Sequence, residues 1–150
     1  MALAIVLHLL AAVVWVGGMF FAYVCLRPAA MSLQPSLRLP LWSAVLGRFF
    51  PWVWAAVVVL LLTGYWMLFG VLGGFADAGW HIHLMQGLGI AMMLLFAHVY
   101  FAPYRRLQRA VVAGDWAAAG SGLNQIRKLV GINLTLGLIV VVVAAGGRYL

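Results

Sequence analysis

The chain has 150 residues, of which 67% are hydrophobic and 7% are charged. Soluble domains carry about 25% charged residues, so this composition excludes an ordinary soluble domain. The formal net charge is +7 with only two acidic residues, but no nucleic-acid-binding motif accompanies that charge, and we expect no nucleic-acid partner. The composition predicts a small integral membrane protein whose main surroundings are the lipid bilayer.

Four long apolar segments predict four membrane-crossing helices, because about 20 helical residues cross a bilayer. The expected spans are 2–25, 49–69, 80–102 and 129–146. The first span has no basic residue before it and a long apolar run, so we interpret it as a retained helix rather than a cleaved signal peptide. The predicted fold is an all-α integral membrane four-helix bundle that forms one domain over residues 1–150.

The residues of the loops predict the orientation of the protein in the membrane and the structure of the loops themselves. Eight of the nine basic residues lie in or beside the loops after the first and third spans, and only Arg148 lies at the C-terminal end. The positive-inside rule then places those loops in the cytoplasm and both termini in the periplasm, as in a bacterial inner-membrane protein. Pro28, Pro35 and Pro40 predict an irregular first loop, and residues 115–122 predict a short surface helix that continues into the fourth span.

Histidines within the spans are the candidate functional residues. An ionisable side chain inside a membrane is costly, and imidazole is a common ligand of metals and of haem iron. His8 shares one helical stripe with Trp15 and Gly18, and the small residues of that stripe leave room for another helix or a flat cofactor. A histidine that donates to a neighbouring backbone carbonyl is an equally good interpretation.

The third span opens with two more histidines. His83 falls on one helical stripe with Gly87, which we expect to face inward, whereas His81 points roughly the opposite way and is the secondary candidate. Both His83 and His8 lie a short way in from the outer face. We therefore predict that they face each other across the outer half of the bundle.

The remaining polar residues of the spans are expected to form hydrogen bonds between helices. His98 also lies on the His83 stripe but about 22 Å further along the axis, so it cannot share a metal with His83. We favour a hydrogen bond from His98 to Asn133, with a second cofactor at His98 as the alternative. Thr63, Gln86 and Thr135 are expected to bond across helices in the same way.

The predicted histidine pair suits two cofactors. Two axial histidines on separate helices suit a six-coordinate haem b, with Gly18 and Gly87 among the glycines that make room. The same histidines could instead bind copper, with Met85 or Met19 supplying a thioether for Cu(I). The residues alone leave both open, although the geometry favours haem.

The first span, from His8 through Trp15 to the adjoining Gly17-Gly18 pair, resembles the first helix of CopD-type copper-resistance membrane proteins. The last span from Arg127 onward and the basic stretch 104–107 resemble the same family, so the resemblance covers all four spans in order. It implies a bacterial inner-membrane protein that binds haem or copper and acts in electron transfer or copper homeostasis.

The His-x6-Trp-x-Gly-Gly pattern is also similar to HemJ-type protoporphyrinogen oxidases, four-helix bacterial membrane proteins associated with haem b. Carried over, His8 matches their first-helix histidine, and His98 loosely resembles the histidine late in their third helix. Both families usually carry a lysine early in the third helix, where this chain has His83, Met85 and Gln86. That departure disfavours the oxidase activity and favours a pair of histidines from the first and third helices.

Three functions remain open at this point. The chain is a haem- or copper-binding protein of CopD type, a HemJ-like oxidase that passes porphyrinogen electrons to a quinone, or a non-catalytic assembly partner whose histidines are structural. Besides lipid, a quinone and a periplasmic redox or copper protein are the candidate partners, and a homodimer is the candidate assembly.

Overall fold

The computed structural model describes residues 1–147 and 149. Four long helices make up most of this part, namely α1 (Ala2–Ala30), α2 (Pro35–Gly70), α3 (Trp80–Ala113) and α4 (Trp116–Gly146). No strand occurs among the described residues, so the all-α prediction is confirmed. Each helix is long and apolar enough to cross a membrane, as expected for a four-helix membrane bundle. Arg148, on which the charge count at the C-terminal end rested, lies outside the described residues.

The helices extend well beyond the predicted spans at the end that carries the basic residues. The first loop is reduced to residues 31–34, and the three prolines expected to make it irregular lie in helices, so that prediction is wrong. Pro28 stands in the last turn of α1, and Pro35 takes the first position of α2, where no intrahelical partner for its nitrogen is needed. Pro40 lies inside α2. The predicted helix over residues 115–122 is confirmed, and it continues without a break as α4.

Two of the helices contain a π-helical segment near the basic end. These segments are Phe21–Leu26 in α1 and Tyr100–Tyr104 in α3. Pro28 follows the first of them closely, and Pro103 lies within the second. Because proline has no backbone N–H to donate, the regular i to i−4 ladder is interrupted there and the turn widens instead of breaking.

The turn from α3 to α4 is short and chemically specified. Gly114 ends α3 with a φ of 68°, a left-handed conformation that glycine adopts without steric cost. Asp115 then begins α4 by accepting a hydrogen bond of 3.0 Å from the backbone N–H of Ala118. The two residues set α3 and α4 antiparallel.

An aromatic cluster at the centre of the bundle joins the helices. α1 packs mainly against α2, and α3 mainly against α4. The Phe96 ring of α3 contacts Trp15 of α1 at 6.1 Å, and Phe50 and Trp54 of α2 at 5.3 and 4.9 Å between centroids. These edge-to-face contacts stabilise aromatic pairs beyond their buried area. Phe96 therefore ties the two helix pairs together.

The start of α1 and the end of α4 lie at the same end of the bundle as the loop over residues 71–79. His8, near the start of α1, contacts Thr63 near the end of α2. His81, at the start of α3, packs against Gly147 just after α4. The basic residues of the described part cluster towards the opposite end. Which of these ends faces the cytoplasm remains a prediction.

Gly18 is a point of close packing between α1 and α2, since a Cβ atom there would overlap the ring of Phe49. We expect Gly18→Ala to lower the free energy of unfolding by about 1–3 kcal/mol, because the ring of Phe49 must move away from the new methyl group. At the adjacent Gly17 a Cβ would meet nothing within 4 Å. Gly17→Ala should be neutral or stabilise by up to about 1 kcal/mol. Melting curves in detergent measure both, and equal shifts would contradict the packing argument.

Candidate functional site around His8

His8 is the histidine that the structure holds by a hydrogen bond between two helices. Its Nδ1 lies 2.7 Å from the hydroxyl oxygen of Thr63 on α2. The His8 ring is half-buried, and Thr63 is buried. A Cβ on the next residue, Gly64, would lie 3.4 Å from Cε1 of His8. The missing side chain of Gly64 therefore leaves room for the imidazole against α2.

The partners of Thr63 determine which ring nitrogen of His8 carries the proton. A threonine hydroxyl has one hydrogen to donate, and Thr63 lies 2.6 Å from the backbone carbonyl of Val59, to which it donates. Its oxygen must then accept from Nδ1–H of His8. Nε2 is left with its lone pair, and no described residue donates a hydrogen bond to it. A metal-binding histidine is typically oriented in this way, with its other N–H held by a neighbour.

His83 lies on the outside of the bundle. It is exposed and stacks on Phe75 with 6.1 Å between the ring centroids. Gly87 and His98, on the same stripe, are exposed too. The expectation that this stripe faces inward is wrong, because α3 buries a different face, formed by Met92, Phe96 and Val99. The structure does not bring His83 into contact with His8, and their pairing as ligands remains a prediction.

In the part of the chain that the structure describes, neither of the other two histidines forms a hydrogen bond or ring contact with His8. His81 is half-buried, packs against Gly147 and meets Trp80 edge to face at 6.1 Å. His98 is exposed, whereas Asn133 is only 4% exposed and its Oδ1 has no hydrogen-bond partner among the described residues. The predicted bond between His98 and Asn133 is therefore not formed.

Two of the predicted hydrogen bonds between helices are present. Thr63 joins α1 to α2 as described, and Gln86 of α3 donates from Nε2 to the hydroxyl of Tyr65 on α2 at 3.0 Å. The prediction is wrong for Thr135, whose hydroxyl donates to the carbonyl of Gly131 within α4 at 3.0 Å. Threonine can bond to its own helix one turn back, and the sequence does not distinguish this from a bond to a neighbour.

Protein side chains fill much of the α1 face on which a flat cofactor was expected. Trp15 is 2% exposed and packs against Phe96. The ring of Phe49 lies over Gly18. The open space at Gly87 lies on the exposed face of α3. These three residues therefore do not frame a common cofactor site with His8.

A metal ion at His8 would need further ligands in addition to the imidazole. The described residues contain no group of three or more His, Cys, Asp or Glu side chains able to hold a metal ion. Met19 lies eleven residues from His8 on α1, about 16 Å along the axis, and is too far away. Met67 is half-buried one turn after Thr63 on the same face of α2. Sequence reasoning missed Met67. Its position four residues after Thr63 places it on the same face of α2, but this points to His8 only when α1 and α2 are known to pair.

Comparison with known families identifies the chain. A protein-family model described as copper resistance protein D, CopD, matches residues 43–146. The match takes in most of α2 and all of α3 and α4, and the chain belongs to this family, as its resemblance predicted. Thr63 and Met67 lie inside the matched region, whereas His8 precedes it. Neither a curated protein nor a solved structure matches the chain.

Thr63→Val tests the hydrogen bond that orients His8, because valine keeps the shape of threonine and removes the acceptor. Hydrogen bonds between membrane helices contribute about 0.6 kcal/mol on average and up to about 1.7 kcal/mol. We expect a loss in that range for Thr63→Val in denaturant titrations in detergent. Thr135→Val is the matched control, since its hydroxyl bonds only within α4, and it should lose less. Equal losses in the two variants would show that the bond to His8 contributes nothing.

Proposed function

We propose that this CopD-family protein binds copper as its cargo between α1 and α2 in the bacterial inner membrane, with Nε2 of His8 as the imidazole ligand, and that it serves copper homeostasis. One observation carries the proposal, namely the chain of hydrogen bonds from Nδ1 of His8 through the Thr63 hydroxyl to the Val59 carbonyl. It fixes the ring and the tautomer, and it leaves Nε2 with a lone pair. Neutral imidazole in this state is a good ligand for copper.

Met67 is the proposed thioether ligand. Side chains in a helix tilt toward the N-terminus of that helix. Because α1 and α2 are antiparallel, the two tilts run in opposite directions along the bundle. The His8 side chain leans toward the level of Met67, and the Met67 side chain leans toward the level of Thr63. Soft thioether sulfur suits Cu(I). A histidine and a methionine therefore supply a donor set that fits the reduced ion and does not require an acidic residue.

We now favour copper over haem b as the group that His8 binds, for a structural reason. A six-coordinate haem needs a second axial ligand opposite His8. The candidate for that ligand was His83, which is exposed on α3 and stacks on Phe75 of the loop over residues 71–79. The family membership also points to copper. The oxidase and assembly-partner functions remain predictions, without a specific contact in their favour.

The proposed partner is a periplasmic copper protein. His8 lies toward the end of the bundle that holds the start of α1, the end of α4 and the loop over residues 71–79. The distribution of basic residues predicts that this end faces the periplasm. Copper exchange at that face would need no passage through the cytoplasmic half of the bundle.

His8→Ala should weaken Cu(I) binding by at least tenfold, about 1.4 kcal/mol, in a titration of the detergent-purified protein against a competing chelator. His98→Ala is the control, because His98 is exposed on the outer face of α3, and it should bind as the wild type does. Unchanged affinity in both variants would contradict the proposal. Visible spectra of the same samples before and after dithionite reduction test the haem alternative, and a Soret band that His8→Ala abolishes would replace copper with haem.

Met67→Leu should also weaken Cu(I) binding by about tenfold, because leucine keeps the volume and removes the sulfur. Met85→Leu is the matched control on α3. Extended X-ray absorption at the copper edge should show one sulfur scatterer in the wild type and none in Met67→Leu. A sulfur shell that persists in Met67→Leu but disappears in Met85→Leu would assign the thioether to α3 instead.

A further inference from the structure

A cavity lies at the basic end of the bundle, between α1, α2 and α4, and Phe96 and Val99 of α3 complete its wall. It encloses about 260 Å³, whereas one water molecule needs roughly 10–15 Å³. Its inner walls are largely aromatic and aliphatic, with Trp15, Trp42 and Phe50 among them. None of its described lining residues is histidine, cysteine or an acid. The cavity is therefore separate from the His8 site and suits a much larger, mainly apolar occupant.

Three arginines line this cavity, Arg27, Arg38 and Arg127. Each is half-buried, whereas the other basic residues that the structure describes are exposed, namely Arg48, Arg105, Arg106, Arg109 and Lys128. Neither of the two acidic residues of the chain lies in the lining. The positive charges are therefore not neutralised from within the cavity. They favour an anion there and disfavour a metal cation.

Asn133 is a second, independent sign of a ligand, because Nδ2 of its carboxamide donates to no described residue and is left for a ligand that accepts. It lines the cavity, is only 4% exposed, and its Oδ1 has no hydrogen-bond partner among the described residues. A buried polar group without a partner costs about 1–3 kcal/mol. Asn133 lies six residues beyond Arg127 on α4, about 9 Å deeper in the bundle. The cavity thus offers cations toward the basic end, a carboxamide about 1.7 helical turns further in, and apolar walls.

We propose that this cavity binds an anionic glycerophospholipid from the leaflet at the basic end. The phosphate lies among the three arginines, one acyl chain follows the aromatic wall, and Nδ2 of Asn133 donates to an ester carbonyl, a bond that leaves Oδ1 as it is. Glycerol esters lie deeper in a leaflet than the phosphates do, which matches the order of Arg127 and Asn133. A free phosphate would leave the apolar wall and Asn133 without a partner. Basic pockets between membrane helices at the cytoplasmic side are suited to anionic headgroups.

Native mass spectrometry of the full chain in detergent tests the proposal, with phosphatidylglycerol and phosphatidylcholine of identical acyl chains as probes. We expect phosphatidylglycerol to be retained in clear preference. Arg127→Gln should weaken its binding about fivefold, the contribution of one basic residue at an anionic headgroup. Lys128→Gln is the matched control, because Lys128 is the adjacent cation on α4 but exposed, and it should weaken binding by less than twofold.

Asn133→Leu separates a lipid ligand from a structural role. Without lipid the variant should melt no lower than the wild type, because an unpaired polar group has been removed. The rise in melting temperature on adding phosphatidylglycerol should nevertheless shrink. Equal retention of the two lipids, equal effects of Arg127→Gln and Lys128→Gln, or displacement of the lipid by excess inorganic phosphate would each overturn the proposal. The last result would identify a free anion as the ligand.

Discussion

Hydrocarbon offers a buried polar side chain no hydrogen-bond partner, and this constraint organises the bundle. The few polar residues of the helices must find partners within the protein or in a ligand. The Thr63 hydroxyl and Nδ1 of His8 pair with each other and hold α1 against α2, whereas Nε2 of His8 has no partner among the described residues. Gln86 and Tyr65 join α3 to α2 in the same way. Asn133 has no partner among the described residues. Both candidate sites thus lie where a polar group is left with unused bonding capacity.

The helices could be predicted from hydropathy, because a backbone inside a bilayer has few alternatives to helix. The faces of those helices could not. A membrane helix is apolar toward lipid as well as toward its neighbours, so the stripe through His83 gave no sign that it faces outward. The first loop was misjudged for a related reason, since Pro28 and Pro40 lie in helices whose ladders tolerate proline.

The same limit applies to the candidate site, where features of one helix could be predicted and contacts between helices could not. The sequence identified His8 because a histidine in an apolar helix is costly. Its hydrogen-bond partner lies 55 residues away on α2, and the free nitrogen follows only from the further bond of Thr63 to Val59. No spacing rule connects residues on different helices before their pairing is known. For the same reason the sequence analysis missed Met67 and predicted His83 as the residue that faces His8.

α2 has 36 residues and is therefore about 54 Å long, whereas the hydrocarbon core of a bilayer is about 30 Å thick. The excess lies mainly toward the basic end, where α3 and α4 also continue past the spans expected from hydropathy. The short links over residues 31–34 and 114–115 leave little flexible chain there. A soluble protein that approaches this face would meet stiff helix ends at fixed spacing, and it would dock as it would on a folded domain rather than on mobile loops.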